Sequence, residues 1–286
     1  MIVDLHFHSQ ASDGLLPPDE VARRAVARGV GMLALTDHDE TSGLAAARAA
    51  VESVAESVAE AARFIDGVEI STEWGGVQVH VVGLDFDTRD AALNAGLASI
   101  RAGRVERAQR MSAELESHGI SGGFAGAMRY ARNPNLIGRS HFARYLVEIG
   151  LRPDLRGVFD SFLVPGKPGY VDHRWATLAE AVGWILGAGG VAVLAHPGRY
   201  RFSRQELRNL LDEFKGLGGQ AIEVVSGSHS PEHFIEFSRL AREYGFLASC
   251  GSDFHGPEES YVDIGGNAPL PGDVTPVWTA FRSKTP

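Results

Sequence analysis

The sequence predicts an α/β fold: a distorted seven-stranded (β/α) barrel carrying a small all-helical insertion. Three observations lead there. Short apolar runs alternate with helical stretches over residues 1–98 and again from 172 onward, the pattern of a parallel sheet with right-handed crossovers. Histidines and carboxylates gather where those runs end, and barrel closure would bring the ends of the first, second, fourth, fifth and seventh strands to one mouth. An open doubly wound sheet brings them together less readily. Between these halves, residues 99–171 show no convincing strand. The expected division is therefore a barrel from 1–98 and 172–286, with 99–171 inserted.

Residues 1–7 form the first strand. Pro17-Pro18-Asp19 opens a helix to about Arg28, and Gly29 closes it. Strand 32–36 follows, then the Ala-rich stretch 43–62, whose Val-Glu-Ser-Val-Ala repeat predicts helix. Strands near 63–70 and 77–83 flank Trp74-Gly75-Gly76, a turn signal. From Asp90 to about His118 the pattern is helical and strongly charged. Shorter helices follow at 125–132, 139–149 and 155–163, joined by Asn- and Pro-rich loops. Alternation then resumes with helix 177–188, strand 191–195, helix 203–217, strand 221–225, helix 231–244 and strand 247–251.

The bulk numbers narrow the function. A chain of 286 residues with 44% hydrophobic and 22% charged content is globular. No apolar run is long enough to cross a bilayer, and the chain begins directly on a strand, so no membrane association and no secretory leader are expected. Cys250 is the single cysteine; it permits no internal disulfide and fits a reducing, cytoplasmic location. The net charge of −9 argues against general adhesion to nucleic acid. Its distribution is uneven, because residues 99–174 carry 12 Lys/Arg against 7 Asp/Glu. A basic segment within an acidic chain suggests an anionic substrate lying between the two.

His6, His8, His38, His196 and His255 stand at or just beyond strand ends, while His80 opens Val81-Val82-Gly83-Leu84. Asp13, Glu69 and Asp253 occupy similar settings. Imidazoles and carboxylates converging at one mouth are the ligands of a multinuclear metal site. Nitrogen and oxygen donors without thiolate suit Mn²⁺, Fe²⁺ or Zn²⁺, and the carboxylate share favours Mn²⁺. Paired cations lower the pKa of a shared water and neutralise phosphoryl oxygens.

The residues Asp4-Leu5-His6-Phe7-His8, Thr36-Asp37-His38-Asp39, Ala195-His196-Pro197 and Gly251-Ser252-Asp253-Phe254-His255 resemble, in order, four motifs of the polymerase-and-histidinol-phosphatase (PHP) family of metal-dependent phosphoesterases. The resemblance implies two or three divalent ions. His6, His8, Glu69 and Asp253 would hold one; Glu69, as a bridge, with His80 and His196 would hold the second. Asp13, His38 and His255 would form a third locus or contact substrate phosphate, Asp13 standing where many members have histidine. Asp37 is expected to orient a neighbouring imidazole. Gly166-Lys167-Pro168-Gly169-Tyr170-Val171 and the run from Ala195 to Tyr200 resemble the branch that removes the 3′-phosphate of nucleoside 3′,5′-bisphosphates, a branch that also trims short RNA from the 5′ end.

Substrate contacts are expected from the basic insertion. Arg101 and Arg104 lie one helical turn apart and are expected to grip one phosphate. Arg139 opens a helix, where backbone N–H groups also favour an anion, and Ser140 follows it. Arg144, Lys167 and Arg199 complete the expected set, with Asp13, His38 and His255. Activated water is the expected nucleophile, and His38 and His255 are candidate proton donors. The main expectation is a nucleoside 3′,5′-bisphosphate phosphatase. Its alternatives are a 5′-to-3′ exonuclease on short 5′-phosphorylated oligonucleotides, a histidinol- or sugar-phosphate phosphatase, and a non-enzymatic metal-binding module. No obligate protein partner is expected.

Overall fold

In the computed structural model, which describes residues 1–55 and 62–282, strand β1 (Ile2–Phe7) is buried at every position after the first. Such continuous burial marks a strand covered on both faces. Helix α1 (Pro18–Ala27) leads to β2 (Val30–Leu35), and α2 (Leu44–Ala55) to β3 (Arg63–Trp74). Residues 56–61, in the last third of the helix expected over 43–62, lie outside the described residues.

Strand β3 runs four residues further than expected and turns straight back into β4 (Val77–Leu84). Gly75 and Gly76 both adopt positive φ, 58° and 76°, the backbone a two-residue hairpin turn requires. The sheet is therefore not wholly parallel. Strand β4 runs antiparallel to β3 on one side and to β6 (Val191–Leu194) on the other. His80 consequently lies inside β4, paired with Ser71, rather than at the opening of a strand.

Between β4 and β6 come α3 (Ala91–Ala102), α4 (Arg104–Ser117), α5 (Gly123–Met128), α6 (Arg139–Glu148), α7 (Leu155–Val158) with a π-turn over Phe159–Leu163, the two-residue strand β5 (Ala176–Thr177) and α8 (Leu178–Gly187). The continuous helix expected to about His118 is broken at Gly103, where a Cβ would stand 2.6 Å from His173. Met111, Leu115, Phe142, Tyr145, Leu146, Val158 and Leu163 pack a second core here, separate from that of the barrel. Helix α9 (Arg204–Gly216), β7 (Ala221–Ser226), α10 (Pro231–Tyr244) and β8 (Leu247–Gly251) complete the order β1-β2-β3-β4-β6-β7-β8, with β5 on β3.

Closure comes from the segment after β8. Asp253 donates its backbone N–H to the His6 carbonyl at 2.8 Å, and His8 donates to the Phe254 carbonyl at 2.8 Å. These bonds draw the first and last strands together into a nearly closed barrel of seven principal strands. They also place His6, His8, Asp253 and His255 on one rim.

Candidate metal centre

Glu69 is the hub of the mouth. It is fully buried in β3, and both carboxylate oxygens face imidazoles. Oε1 lies 2.7 Å from His80 Nδ1 and 2.9 Å from His196 Nε2. Oε2 lies 2.9 Å from His38 Nδ1 and 3.3 Å from both His6 Nε2 and His8 Nε2. Asp253 Oδ1 stands 3.3 Å from His8 Nε2 and 3.6 Å from His6 Nε2. Asp13 Oδ1 stands 3.5 Å from His255 Nε2 and 4.0 Å from both His38 Nε2 and His8 Nδ1. All nine residues expected as ligands thus meet.

Their donor atoms fall into four overlapping groups: His6-His8-Asp253, His6-Glu69-His196, His38-Glu69-His80, and His8-Asp13-His38-His255. His38 therefore faces Glu69 as well as Asp13, which the grouping read from the sequence did not anticipate. Donors about 2.1 Å from a shared cation stand about 3.0–3.4 Å from each other, close to most of these separations. His8 Nδ1, His38 Nδ1, Glu69 Oε2, His196 Nδ1 and Asp253 Oδ1 are buried with no hydrogen-bond partner. Orphaned buried polar atoms are rare and costly, and so many in one place fit a site built for cations.

Protonation favours ligation unevenly. Burial holds His8 down at about 3, helped by the charges of His255 and His38, and holds His80 at about 4. Burial also opposes a charge on His38, but Glu69 and Asp13 outweigh it and lift that imidazole to about 9. Glu69 and Asp253 sit well below the usual carboxylate range: burial pushes both up, and His38 and His80 for the one, Arg199 and His8 for the other, more than reverse it. His196 and Asp253 are also strained, with φ of 27° and 53°. Left-handed backbone at non-glycine residues is characteristic of functional sites.

Behind the donors, Asp37 accepts from the Ser9 N–H at 2.8 Å, the Ser9 hydroxyl at 2.7 Å and the Ser12 hydroxyl at 2.6 Å. It shapes the loop that carries Asp13 and, contrary to expectation, has no imidazole partner among the described residues. Glu223, which sequence reasoning missed, accepts from His6 Nδ1 at 2.7 Å. The signal was a carboxylate within the apolar run Ala221-Ile222-Glu223-Val224-Val225.

A cavity of about 110 Å³ adjoins the cluster, and His38, His80, Asp13 and His255 are among its lining. Arg104, Arg107, Arg139, Ser140 and Arg199 line it as well. Arg107 was missed, although it follows Arg104 at helical spacing. It is buried, and burial followed by the charges of Arg139 and Arg104 lowers it to about 9. Among the described residues neither Arg107 nor Arg139 has a carboxylate partner; their bonds run to the Val171 carbonyl at 2.8 Å and Gln78 Oε1 at 2.7 Å. Cations gathered without counter-charge suit an anion.

The other expected contacts are placed differently. Arg101 and Arg104 lie on separate helices and converge on Asp39, Arg101 at its carbonyl and Arg104 at its carboxylate. Only Arg104 of the two lines the cavity. Arg144 is engaged by both oxygens of Glu259 at 2.7 Å each. Lys167 is exposed and outside the cavity lining. Arg199 donates to Asp253 Oδ2 at 2.8 Å.

A barrel whose mouth gathers buried imidazoles around a shared carboxylate belongs to the metal-dependent phosphoesterase folds. The PHP domain family matches residues 4–224, and the chain is a member of that family. It is 51% identical over 282 residues to a 3′,5′-nucleoside bisphosphate phosphatase of Chromobacterium violaceum, covering 99% of this chain and 97% of that one. It is 42% identical to the 5′-3′ exoribonuclease Rnm of Salmonella typhimurium, covering 99% and 94%. Its fold superposes with a TM-score of 0.92 on an amidohydrolase structure from Chromobacterium violaceum with bound sulfate and no metal, at 52% identity and coverage of 98% and 95%.

Proposed function

We propose that the protein is a phosphoric monoester hydrolase that removes the 3′-phosphate of nucleoside 3′,5′-bisphosphates, such as adenosine 3′,5′-bisphosphate, leaving the 5′-monophosphate. The observation that carries this reading is a single cavity lined both by metal donors (Asp13, His38, His80, His255) and by the arginines Arg104, Arg107 and Arg139. A substrate with two separate phosphates satisfies both. The 51% identity to a bisphosphate phosphatase supports the same substrate class.

His6, His8, Glu69 and Asp253 would hold one cation, Glu69, His80 and His196 a second, and Asp13, His38 and His255 a third or the phosphate itself. Mn²⁺ suits this nitrogen and oxygen set. Bound divalent cations supply an activated water and neutralise phosphoryl oxygens. The chain's own residues do the rest. Arg104, Arg107 and Arg139 hold the distal 5′-phosphate, Ser140 fixes the Asp13 carboxylate, and Arg199 holds Asp253. His38 and His255 both line the cavity and are the candidates to give a proton to the departing 3′-oxygen. Residues 99–171 act as the substrate-binding insertion. A cytoplasmic location fits the lone buried thiol of Cys250.

With Mn²⁺, phosphate release from adenosine 3′,5′-bisphosphate should far exceed that from AMP or histidinol phosphate. Equal rates on all three would remove the bisphosphate assignment. The 42% identity to an exoribonuclease favours a second activity on short 5′-phosphorylated RNA, which would use the same arginines. A ladder from a 5′-phosphorylated oligoribonucleotide, suppressed by a 5′-hydroxyl end, is its signature.

A further inference from the structure

Two carboxylates grip the same pair of histidines from opposite sides. Glu69 faces His6 Nε2 at 3.3 Å and His196 Nε2 at 2.9 Å. Glu223 takes the other edges: Oε1 accepts from His6 Nδ1 at 2.7 Å, and Oε2 accepts from the His196 backbone N–H at 2.6 Å. Glu223 is 1% exposed, and its neighbours Ala221, Ile222, Val224 and Val225 are buried and apolar. A charge in such a run costs stability that an aliphatic side chain would not, so packing does not explain it. The register between β7 and β8 shifts between Glu223 and Val225. An irregularity of that kind re-aims a side chain beside a site.

We infer that Glu223 is a positioning residue for the metal centre, setting His6 and His196 as one unit. A carboxylate accepting at Nδ1 fixes the proton there and leaves the Nε2 lone pair of His6 directed at Glu69. The second oxygen anchors the His196 amide, where φ is 27°, and so holds a backbone conformation that would otherwise relax and withdraw the ring. The two rings lie stacked, 5.7 Å apart at 27°, both with Nε2 towards Glu69. Glu223 therefore acts on the loci that His6 and His196 serve and not on Asp13, His38 or His255, with which it shares no hydrogen bond among the described residues. The inference rests on the reading of this cluster as a metal centre.

Glu223→Gln nearly preserves volume but offers one acceptor where two donors converge. In the full chain stripped of metal and titrated calorimetrically with Mn²⁺ alone, the two sites that His6 and His196 serve should weaken about 10–100-fold. The remaining uptake should stay within about twofold, and the stripped variant should melt close to the parent. Proton NMR of the stripped parent should show a strongly deshielded His6 Nδ1–H, absent in the variant. An unchanged isotherm, or equal weakening at every site, would overturn the inference. If Glu223→Gln does not fold, the parent resonance decides: its absence refutes the positioning role. A parent chain that takes up no Mn²⁺ removes the centre itself, a result distinct from either.

Discussion

Ser140, in the first turn of α6, donates its hydroxyl to Asp13 Oδ2 at 2.7 Å, while Asp13 Oδ1 faces His255, His38 and His8. One carboxylate thus joins the helical segment to the histidine cluster. Removing a hydrogen bond to a charged acceptor costs about 1.5–3 kcal/mol, and here the loss falls on the position of Asp13. Ser140→Ala should weaken the last Mn²⁺ to bind by about tenfold while leaving the tighter sites unaltered. Titration of the stripped variant checks this; equal loss at all sites would contradict it.

Arg107 and Arg139 line the cavity without acidic partners among the described residues, whereas Arg101 lies outside it against the Asp39 carbonyl. Arg107→Ala and Arg139→Ala should each raise KM for a nucleoside bisphosphate about 10–100-fold, from about 1.5–3 kcal/mol per charge-assisted bond. The change in kcat should be small, as expected when binding to ground and transition states is lost equally. Arg101→Ala should change KM much less. Steady-state kinetics on the three variants separate the cavity wall from its support, and a dominant effect at Arg101 would move the anchor.

Arg144 has the opposite role. Its side chain is 4% exposed and meets both Glu259 oxygens at 2.7 Å, while the Glu259 side chain is 17% exposed. Breaking a buried pair leaves an uncompensated charge, at about 3–5 kcal/mol when both partners are deep. Solvent at Glu259 reduces this to about 2 kcal/mol. Arg144→Ala should therefore lower the thermal midpoint by several degrees. In the melting curves, Arg144→Ala combined with Glu259→Ala should cost less than the two single losses added.

His38 gives the metal affinity a pH dependence. Burial resists its charge, but Glu69 and Asp13 lift it to about 9, so without metal it is protonated at neutral pH; His8, at about 3, is not. A cation must displace the His38 proton to use its nitrogen. Affinity at the loci containing His38 should rise about tenfold per unit between pH 7 and about 9, then level off. Calorimetry in buffers of different ionisation enthalpy would show the released proton directly, and a flat profile would rule out His38 as a ligand.

What could be read from the sequence follows from where each constraint acts. The ends of β1, β2, β6 and β8 were legible because strand periodicity and the histidines coincide along the chain. The direction of β4 was not, since Gly75-Gly76 reverses the chain while its residues still look like any buried strand. The need for glycine at the Gly103 helix break was invisible because the close neighbour, His173, is seventy residues away. Glu223 escaped for a related reason: its meaning depends on His6, which only barrel closure brings near. Arg107 lay in plain view at the spacing already noted for Arg101 and Arg104.

That closure leaves little room where β8 meets β1, and two glycines offer the test. A Cβ on Gly251 would stand 2.3 Å from His6 Cβ and 2.7 Å from the His6 nitrogen, so Gly251→Ala must push the end of β1 outward. Overpacking of this kind costs about 1–3 kcal/mol, and the displaced residue is a metal donor. Gly183, exposed within α8, has nothing within 4 Å of an added Cβ, and Gly183→Ala should stabilise by about 0.5–1 kcal/mol through helix propensity alone. The two alanines should therefore move the melting temperature in opposite directions, and only Gly251→Ala should lower bound metal by elemental analysis. Full metal content in the Gly251 variant would mean that the rim of β1 is looser than the contact with Gly251 implies, and that His6 does not depend on it.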